Sequence, residues 1–262
     1  MHMDLSTELT GKTALVTGGT KGAGKAIAER LAQAGAQVII SARNAATDTQ
    51  PNLHFIAADL GTATGAAHLV SEIKASYGGV DILVNNLGGS DTPGGGFSAL
   101  TDEHWLQTLQ ANLMAPVRLD RALLPYMLER GAGVIIHISS IQARMPLYES
   151  TLPYAAAKAG LTNYSKSLSN EVAPKGIRVL TVSPGFIQTT AAVAFIKQLA
   201  EGAGQTYDEA LQSLLHTLGG IPIGRPAQPE DIAEFVAYLV SPRAAYLTGT
   251  EYVIDGGTLP TI

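Results

Sequence analysis

Short runs of β-branched and aliphatic residues alternate with longer, alanine-rich amphipathic runs along most of this chain, and that alternation restricts the fold more than any other feature. Branched side chains suit a pleated strand, whereas apolar residues recurring three and four apart suit a helix. Strands are read at residues 13–16, 37–41, 53–57, 81–85, 134–139, 178–183 and 251–255. Helices are read at 24–34, closed by Gly35, and at 62–77, stopped by Gly78-Gly79. A long helix is expected from about 102 to 129, with Thr101 as N-cap and Asp102 and Glu103 in its first turn. Another runs over 154–173 and ends before Pro174. Strand–helix alternation of this kind predicts an α/β fold, a seven-stranded, doubly wound parallel sheet with helices on both faces. A chain of 262 residues, 46% of them hydrophobic, can bury one large core, so a single domain spanning 1–262 is expected. Residues 189–220 break the alternation and read as a mostly helical insertion after a strand end, where a substrate lid would sit.

Sheets of this type bind ligands beyond the carboxyl ends of their strands, and the unusual residues of this chain gather there. The first strand runs into Thr17-Gly18-Gly19-Thr20-Lys21-Gly22-Ala23-Gly24 and then into a helix. Gly18 permits a tight turn, and Gly22 and Gly24 let backbone approach a pyrophosphate and let the helix pack on the strand. The helix N-terminus adds free N–H groups and a positive dipole end. A dinucleotide site is the expectation, set against a purely structural turn. The second strand ends Ser41-Ala42-Arg43-Asn44 without the acid that would hold a ribose 2′-hydroxyl. Arg43, with Lys21 as a second cation, points to a 2′-phosphate and so to NADP(H) over NAD(H). Both side chains also read as solvated surface cations. Asp59-Leu60, after the third strand, reads either as an adenine contact or as ordinary loop.

Tyr154 and Lys158 stand four apart in a helical segment, which puts them on one face ~5–6 Å apart. An ammonium at that distance is worth roughly 3 kcal/mol at an effective dielectric of ~20, enough to bring a phenol from ~10 to about 8. A phenol so tuned suits general acid–base work. The pair is preceded by Ser139-Ser140 at the end of the fifth strand, and by Asn85-Asn86 at the end of the fourth.

These residues resemble the short-chain dehydrogenase/reductase family over nearly the whole chain. The matching motifs are T-G-x-x-x-G-x-G at 17–24, N-N-x-G at 85–88, Asn112 in the long helix, Ser139-Ser140, Y-x-x-x-K at 154–158, and Pro184-Gly185. Turn spacing and length resemble the compact branch of the family, and the tyrosine–lysine spacing looks unlike the enoyl reductases. The resemblance implies a Rossmann-type fold and a hydride transfer between the nicotinamide of NADP(H) and a ketone or secondary alcohol. It implies that Tyr154 gives its proton to the carbonyl oxygen, and that Lys158 binds the nicotinamide ribose and lowers the tyrosine pKa. Ser140 would bond the substrate oxygen, and Asn112 would hold a water relaying protons to Lys158. Asn86 and Gly88 would line the coenzyme channel, with Ile187 and Thr189, after Pro184-Gly185, at the carboxamide. A homotetramer assembled through the helices of Asn112 and Tyr154 and the C-terminal strand is also implied. An NAD-dependent dehydrogenase of a sugar or polyol is the alternative. A non-catalytic dinucleotide sensor or scaffold is the alternative of another class, and the intact Asn112/Ser140/Tyr154/Lys158 set argues against it.

Two departures from the family pattern stand out. Leu87 occupies the third position of the N-N-x-G motif, where alanine is usual, and is expected to narrow the coenzyme pocket. Ser140 lies fourteen residues before Tyr154 where thirteen is usual, read as one extra residue in the loop 142–153, with Ser139 as fallback but facing the other side of the strand. A formal net charge of −5 and the lack of a basic run argue against a nucleic-acid partner. No cysteine is present, which rules out disulfides and thiolate chemistry, and the histidines show no metal-ligand spacing. Residues 1–12 lack an apolar signal core, and no apolar stretch reaches the ~20 residues of a membrane span, so a cytoplasmic protein is expected. His137, in an apolar strand, reads as a packed core residue, Asp81 as structural and Trp105 as a packing anchor. Arg144, Tyr148 and Glu149 read as solvated loop residues, and Phe186 and Phe195 as pocket walls, Phe195 equally as core.

Overall fold

The computed structural model describes residues 6–44, 52–217 and 219–261. Seven parallel strands form one sheet: β1 (Thr13–Thr17), β2 (Gln37–Ala42), β3 (Leu53–Ala57), β4 (Ile82–Asn85), β5 (Gly133–Ile138), β6 (Ile177–Pro184) and β7 (Glu251–Ile254), in the order β3-β2-β1-β4-β5-β6-β7. The chain starts at the middle, winds out to β3, returns to place β4 beside β1, and winds to the opposite edge. The reversal opens a crevice at the carboxyl ends of β1 and β4, the place where such sheets take ligands.

Strict alternation along the strands builds two separate cores. Leu15, Ile39, Leu83, Ile135 and Val179 face one side, and their neighbours Val16, Ile40, Val84, Ile136 and Leu180 face the other. The first set packs on α2 (Ala63–Tyr77) and α4 (Ala115–Arg130) through Leu69, Ile73, Leu119, Leu123 and Met127. The second packs on α1 (Gly22–Gln33) and α8 (Pro229–Val240) through Ile27, Leu31, Ile232 and Val236. Neighbouring residues on a buried parallel strand therefore serve opposite cores, which is why these strands are apolar almost throughout.

The expected 102–129 helix has the predicted extent but not the predicted regularity. α3 (Asp102–Leu109) starts at the Thr101 cap, one π-helical turn follows at Gln110–Met114, and α4 continues. The wide turn carries Asn112, whose Nδ2 donates to Thr108 O at 3.0 Å. Helix α8 is absent from the sequence reading although its signals are there: Pro229 and two acids in the first turn, then an apolar stripe at 232, 233, 236, 237 and 240. It pairs with α1, joined by Arg30 Nε to Glu234 Oε1 at 2.7 Å. The expected helix at 154–173 is α5 (Leu152–Val172). The insertion at 189–220 contains two helices, α6 (Thr190–Ala203) and α7 (Tyr207–Thr217), which bury Ile196, Ala200, Ala210, Leu211 and Leu215 in a third cluster of their own. No helix among the described residues is long and apolar enough to cross a membrane.

Candidate active site

The glycine turn between β1 and α1 is held by the end of β4. Thr17 Oγ1 accepts the backbone N–H groups of Asn86 (3.0 Å) and Leu87 (2.9 Å), and Asn86 Nδ2 donates to Thr17 O at 2.9 Å. Gly18 has φ +65°, a left-handed conformation that glycine adopts without steric cost. A Cβ on Gly24 would stand 2.3 Å from Gly18 O, so that position has no room for any side chain. Asn86 is thus first a clamp on the turn.

A groove of about 590 Å³ opens over this turn. Gly18, Thr20, Lys21, Gly22 and Gly24 form its floor, Ser41 and Arg43 one end, Asp59 and Leu60 a side, and Asn86, Gly88 and Thr189 the other side. The expected coenzyme contacts on these elements therefore share one surface. Ser41 Oγ is buried with no hydrogen-bond partner, at the end where exposed Arg43 stands and no carboxylate follows β2 before the last described residue there, Asn44. Asp59 uses Oδ1 to accept Gly61 N at 3.1 Å while still bordering the groove. Leu87 lines the groove and packs half-buried against the α2/α4 core. A glycine cradle that a Cβ would fill, free backbone at the start of α1 and an orphaned buried hydroxyl beside a cation fit a phosphorylated dinucleotide.

Beyond the groove, β5, the π turn and α5 bring the chemical residues together. Asn112 is buried, with Oδ1 accepting Gly89 N at 3.0 Å and Nδ2 donating to Gly89 O at 2.9 Å. A Cβ on Gly88 would lie 2.6 Å from Asn112 Oδ1 and 2.8 Å from Lys158 Nζ, so a side chain there would displace one or both of these groups. Lys158 is buried, its Nζ donating to Ile138 O at 2.8 Å and standing 5.6 Å from the centre of the Tyr154 ring. Ser140 lines the same cavity as Tyr154 and accepts Gln142 N at 3.2 Å. Ser139 turns away, to Lys158 O (3.1 Å) and Thr162 Oγ1 (2.8 Å), which excludes the fallback serine.

The electrostatics correct one expectation. Burial holds the Tyr154 phenol above its ordinary value, and the Ser140 hydrogen bond pulls it only partly back. Lys158 contributes no lowering of the phenol, and its own burial brings the lysine from 10.5 to about 8. Desolvation is the leading influence on both groups.

Next to Ser140 and Tyr154 lies a second cavity of about 450 Å³. Ile141, Met145 and Leu147 form one wall, and Phe186, Phe195, Leu214 and Ile221 face them. Both phenylalanines are pocket walls. The exit of β6 is shared: Gly185 and Ile187 line this pocket, while Thr189, N-cap of α6 through Ala192 N at 3.2 Å, lines the groove. Pro184 ends β6 and is buried.

Other residues bear out the sequence reading in part and add contacts to it. Arg144 is an ion-pair partner of Glu251 on β7, whose other oxygen accepts Ser183 Oγ at 2.6 Å, so it ties the serine–tyrosine loop to the sheet. Glu149 carries the loop 92–96 on its carbonyl, accepting Gly95 N (2.9 Å) and Gly96 N (3.2 Å). His137 is buried as expected, but within a polar network absent from the sequence reading. Its ring contacts Asp120 Oδ2 and Ser165 Oγ, both at 2.9 Å, and Asn85 Nδ2 donates to Asp120 Oδ1 at 2.8 Å. Trp105 is only half-buried. Asp81 is structural, accepting Thr13 N at 2.9 Å.

A family model described as Enoyl-(Acyl carrier protein) reductase matches residues 17–258. The chain is 38% identical to 3-oxoacyl-[acyl-carrier-protein] reductase FabG of Vibrio cholerae, over 95% of this chain and 98% of that protein. It is 36% identical to a putative ketoacyl reductase of Streptomyces coelicolor, over 94% and 96% of the two chains. Among solved structures, L-sorbose reductase from Gluconobacter frateurii, complexed with NADPH and L-sorbose, superposes with a TM-score of 0.89 at 36% identity, covering 99% of this chain and 100% of that one. Aldohexose dehydrogenase of Thermoplasma acidophilum superposes with a TM-score of 0.86 at 26% identity, covering 99% and 98%. The glycine cradle, the parallel sheet that presents it and the serine–tyrosine–lysine cluster beyond it occur in a chain whose relatives over nearly full length are reductases and dehydrogenases of one kind, and the chain accordingly belongs to the short-chain dehydrogenase/reductase family of oxidoreductases acting between CH–OH and C=O groups.

Proposed function

We propose that the protein is an NADP(H)-dependent reductase converting a ketone to a secondary alcohol. The observation that carries this reading is that Ser140 and Tyr154 line one apolar cavity together, with buried Lys158 Nζ 5.6 Å from the Tyr154 ring. The nicotinamide coenzyme supplies or accepts the hydride. Ser140 and Tyr154 hold the substrate oxygen between two hydroxyls, and the Tyr154 proton goes to that oxygen as it gains charge. A phenol held above its ordinary value stays protonated at neutral pH and is ready to donate. Lys158 positions the nicotinamide ribose, and Asn112, bonded to the 88–89 backbone beside Lys158 Nζ, opens the proton path to that amine. Gly18, Thr20, Lys21, Gly22 and Gly24 take the pyrophosphate; Asp59 and Leu60 the adenine; Asn86, Gly88, Ile187 and Thr189 the nicotinamide side.

Ser41 and Arg43 favour the 2′-phosphate, and the NADPH complex of the sorbose reductase supports the same coenzyme. Fluorescence titration with NADPH and NADH tests this directly: tighter NADPH binding is expected, and tighter NADH binding would favour the sugar or polyol dehydrogenase instead. The helices α6 and α7 act as the substrate lid of a single domain. The family resemblance further supports a cytoplasmic homotetramer, which sedimentation equilibrium would check.

A further inference from the structure

We infer that the substrate is an uncharged ketone whose larger substituent is an apolar alkyl or aryl group, not a polyhydroxylated sugar; this rests on the reductase reading above. The cavity beside Ser140 and Tyr154 has about 450 Å³, within the ~300–1,000 Å³ usual for small-molecule sites. Among the described residues, none that lines it is charged. Both long walls are aliphatic or aromatic, drawn from the loop after β5 on one side and from the β6 exit and lid on the other.

The polar groups present are largely committed elsewhere. Ser140 and Tyr154 belong to the reacting oxygen. Gln142 Oε1 accepts the Thr151 hydroxyl, and Thr258 Oγ1 donates to Asp255 O at 2.7 Å. Ser150, on the exposed loop, is the remaining lining hydroxyl. A sugar entering this space would bring several hydroxyl groups with few partners, and each left unpaired weakens binding by about tenfold or more. An alkyl or aryl group displaces water from the same walls at a gain. The Arg144 guanidinium, the cation on the neighbouring loop, is paired with Glu251, so the pocket lining offers no counterion to a carboxylate substrate.

The test is steady-state reduction by the full-length enzyme with NADPH of 2-octanone, acetophenone, L-sorbose and a 2-oxo carboxylate. Expected is a kcat/KM at least ~100-fold higher for one or both apolar ketones than for L-sorbose or the acid. Equal or better turnover of L-sorbose or the acid would overturn the inference and leave the reductase reading standing. No turnover of any of the four by enzyme that binds NADPH would overturn the reductase reading, and the inference with it. Phe195 is half exposed, so Phe195→Asn should fold. It should lower kcat/KM for 2-octanone by about tenfold through KM, with NADPH affinity unchanged. An equal loss on L-sorbose would count against apolar recognition.

Discussion

The proposed coenzyme groove and substrate pocket both draw on the exit of β6 but are constructed by different means. The groove rests on a glycine turn in which a Cβ on Gly24 would strike Gly18 O, and the turn is held by Thr17 and Asn86. The pocket is walled largely by side chains, and two of them, Phe195 and Leu214, stand on helices whose core, around Ile196 and Leu211, is separate from both sheet cores. Backbone recognition leaves no room for variation in atoms, whereas side-chain recognition can be rewritten one residue at a time. A reaction kept constant and a substrate range free to change need this division.

Four expectations would break or sharpen that contrast. Tyr154→Phe removes the proposed proton donor at the apolar cavity and should lower turnover by at least ~100-fold while NADPH still binds; near-normal turnover would remove Tyr154 from the chemistry. Gly24→Ala drives a Cβ into Gly18 O and should cost about 1–3 kcal/mol of stability, read by denaturant melts, together with at least ~10-fold in NADPH affinity. Wild-type values for both would mean the cradle is more pliable than its distances imply.

Lys158→Met separates function from stability. Burial lowers the lysine from 10.5 to about 8, so between those values the unfolded chain holds a proton that the folded one releases. The buried charge therefore destabilises the fold at and below neutral pH, by up to about 3 kcal/mol, and stability recovers as pH rises through about 8 toward 10.5. The variant should be inactive yet melt above wild type at neutral pH, with the gap closing as pH is raised. Melting below wild type at neutral pH would show that the bond to Ile138 O outweighs the desolvation. The smallest effect is expected of Arg43→Ala: an exposed residue whose loss should leave stability within ~0.5 kcal/mol and weaken NADPH by about tenfold while sparing NADH.

Much of this was legible in sequence because local rules and the fold agree. Strand alternation placed Ser140 toward the cavity of the phenol and Ser139 away from it, where Ser139 bonds Lys158 O and Thr162. The glycine turn announced its own geometry. The π turn at Asn112 was not legible, since it depends on the 88–89 backbone lying against that helix. Nor was the Arg144–Glu251 pair, whose members lie 107 residues apart and meet only through the sheet order. The phenol's environment was misjudged for a related reason: charge spacing along a helix is local, but the burial that outweighs it comes from the whole domain.

The exit of β6 carries a kinetic consequence. Ile187 borders the substrate cavity, and Thr189, two residues on, borders the groove and starts the helix that bears Phe195. Whatever settles against Thr189 sets where that helix begins, and thereby where the far wall of the other cavity stands. Coenzyme first and ketone second is then the expected order of addition, through two adjacent turns of chain instead of a distant signal.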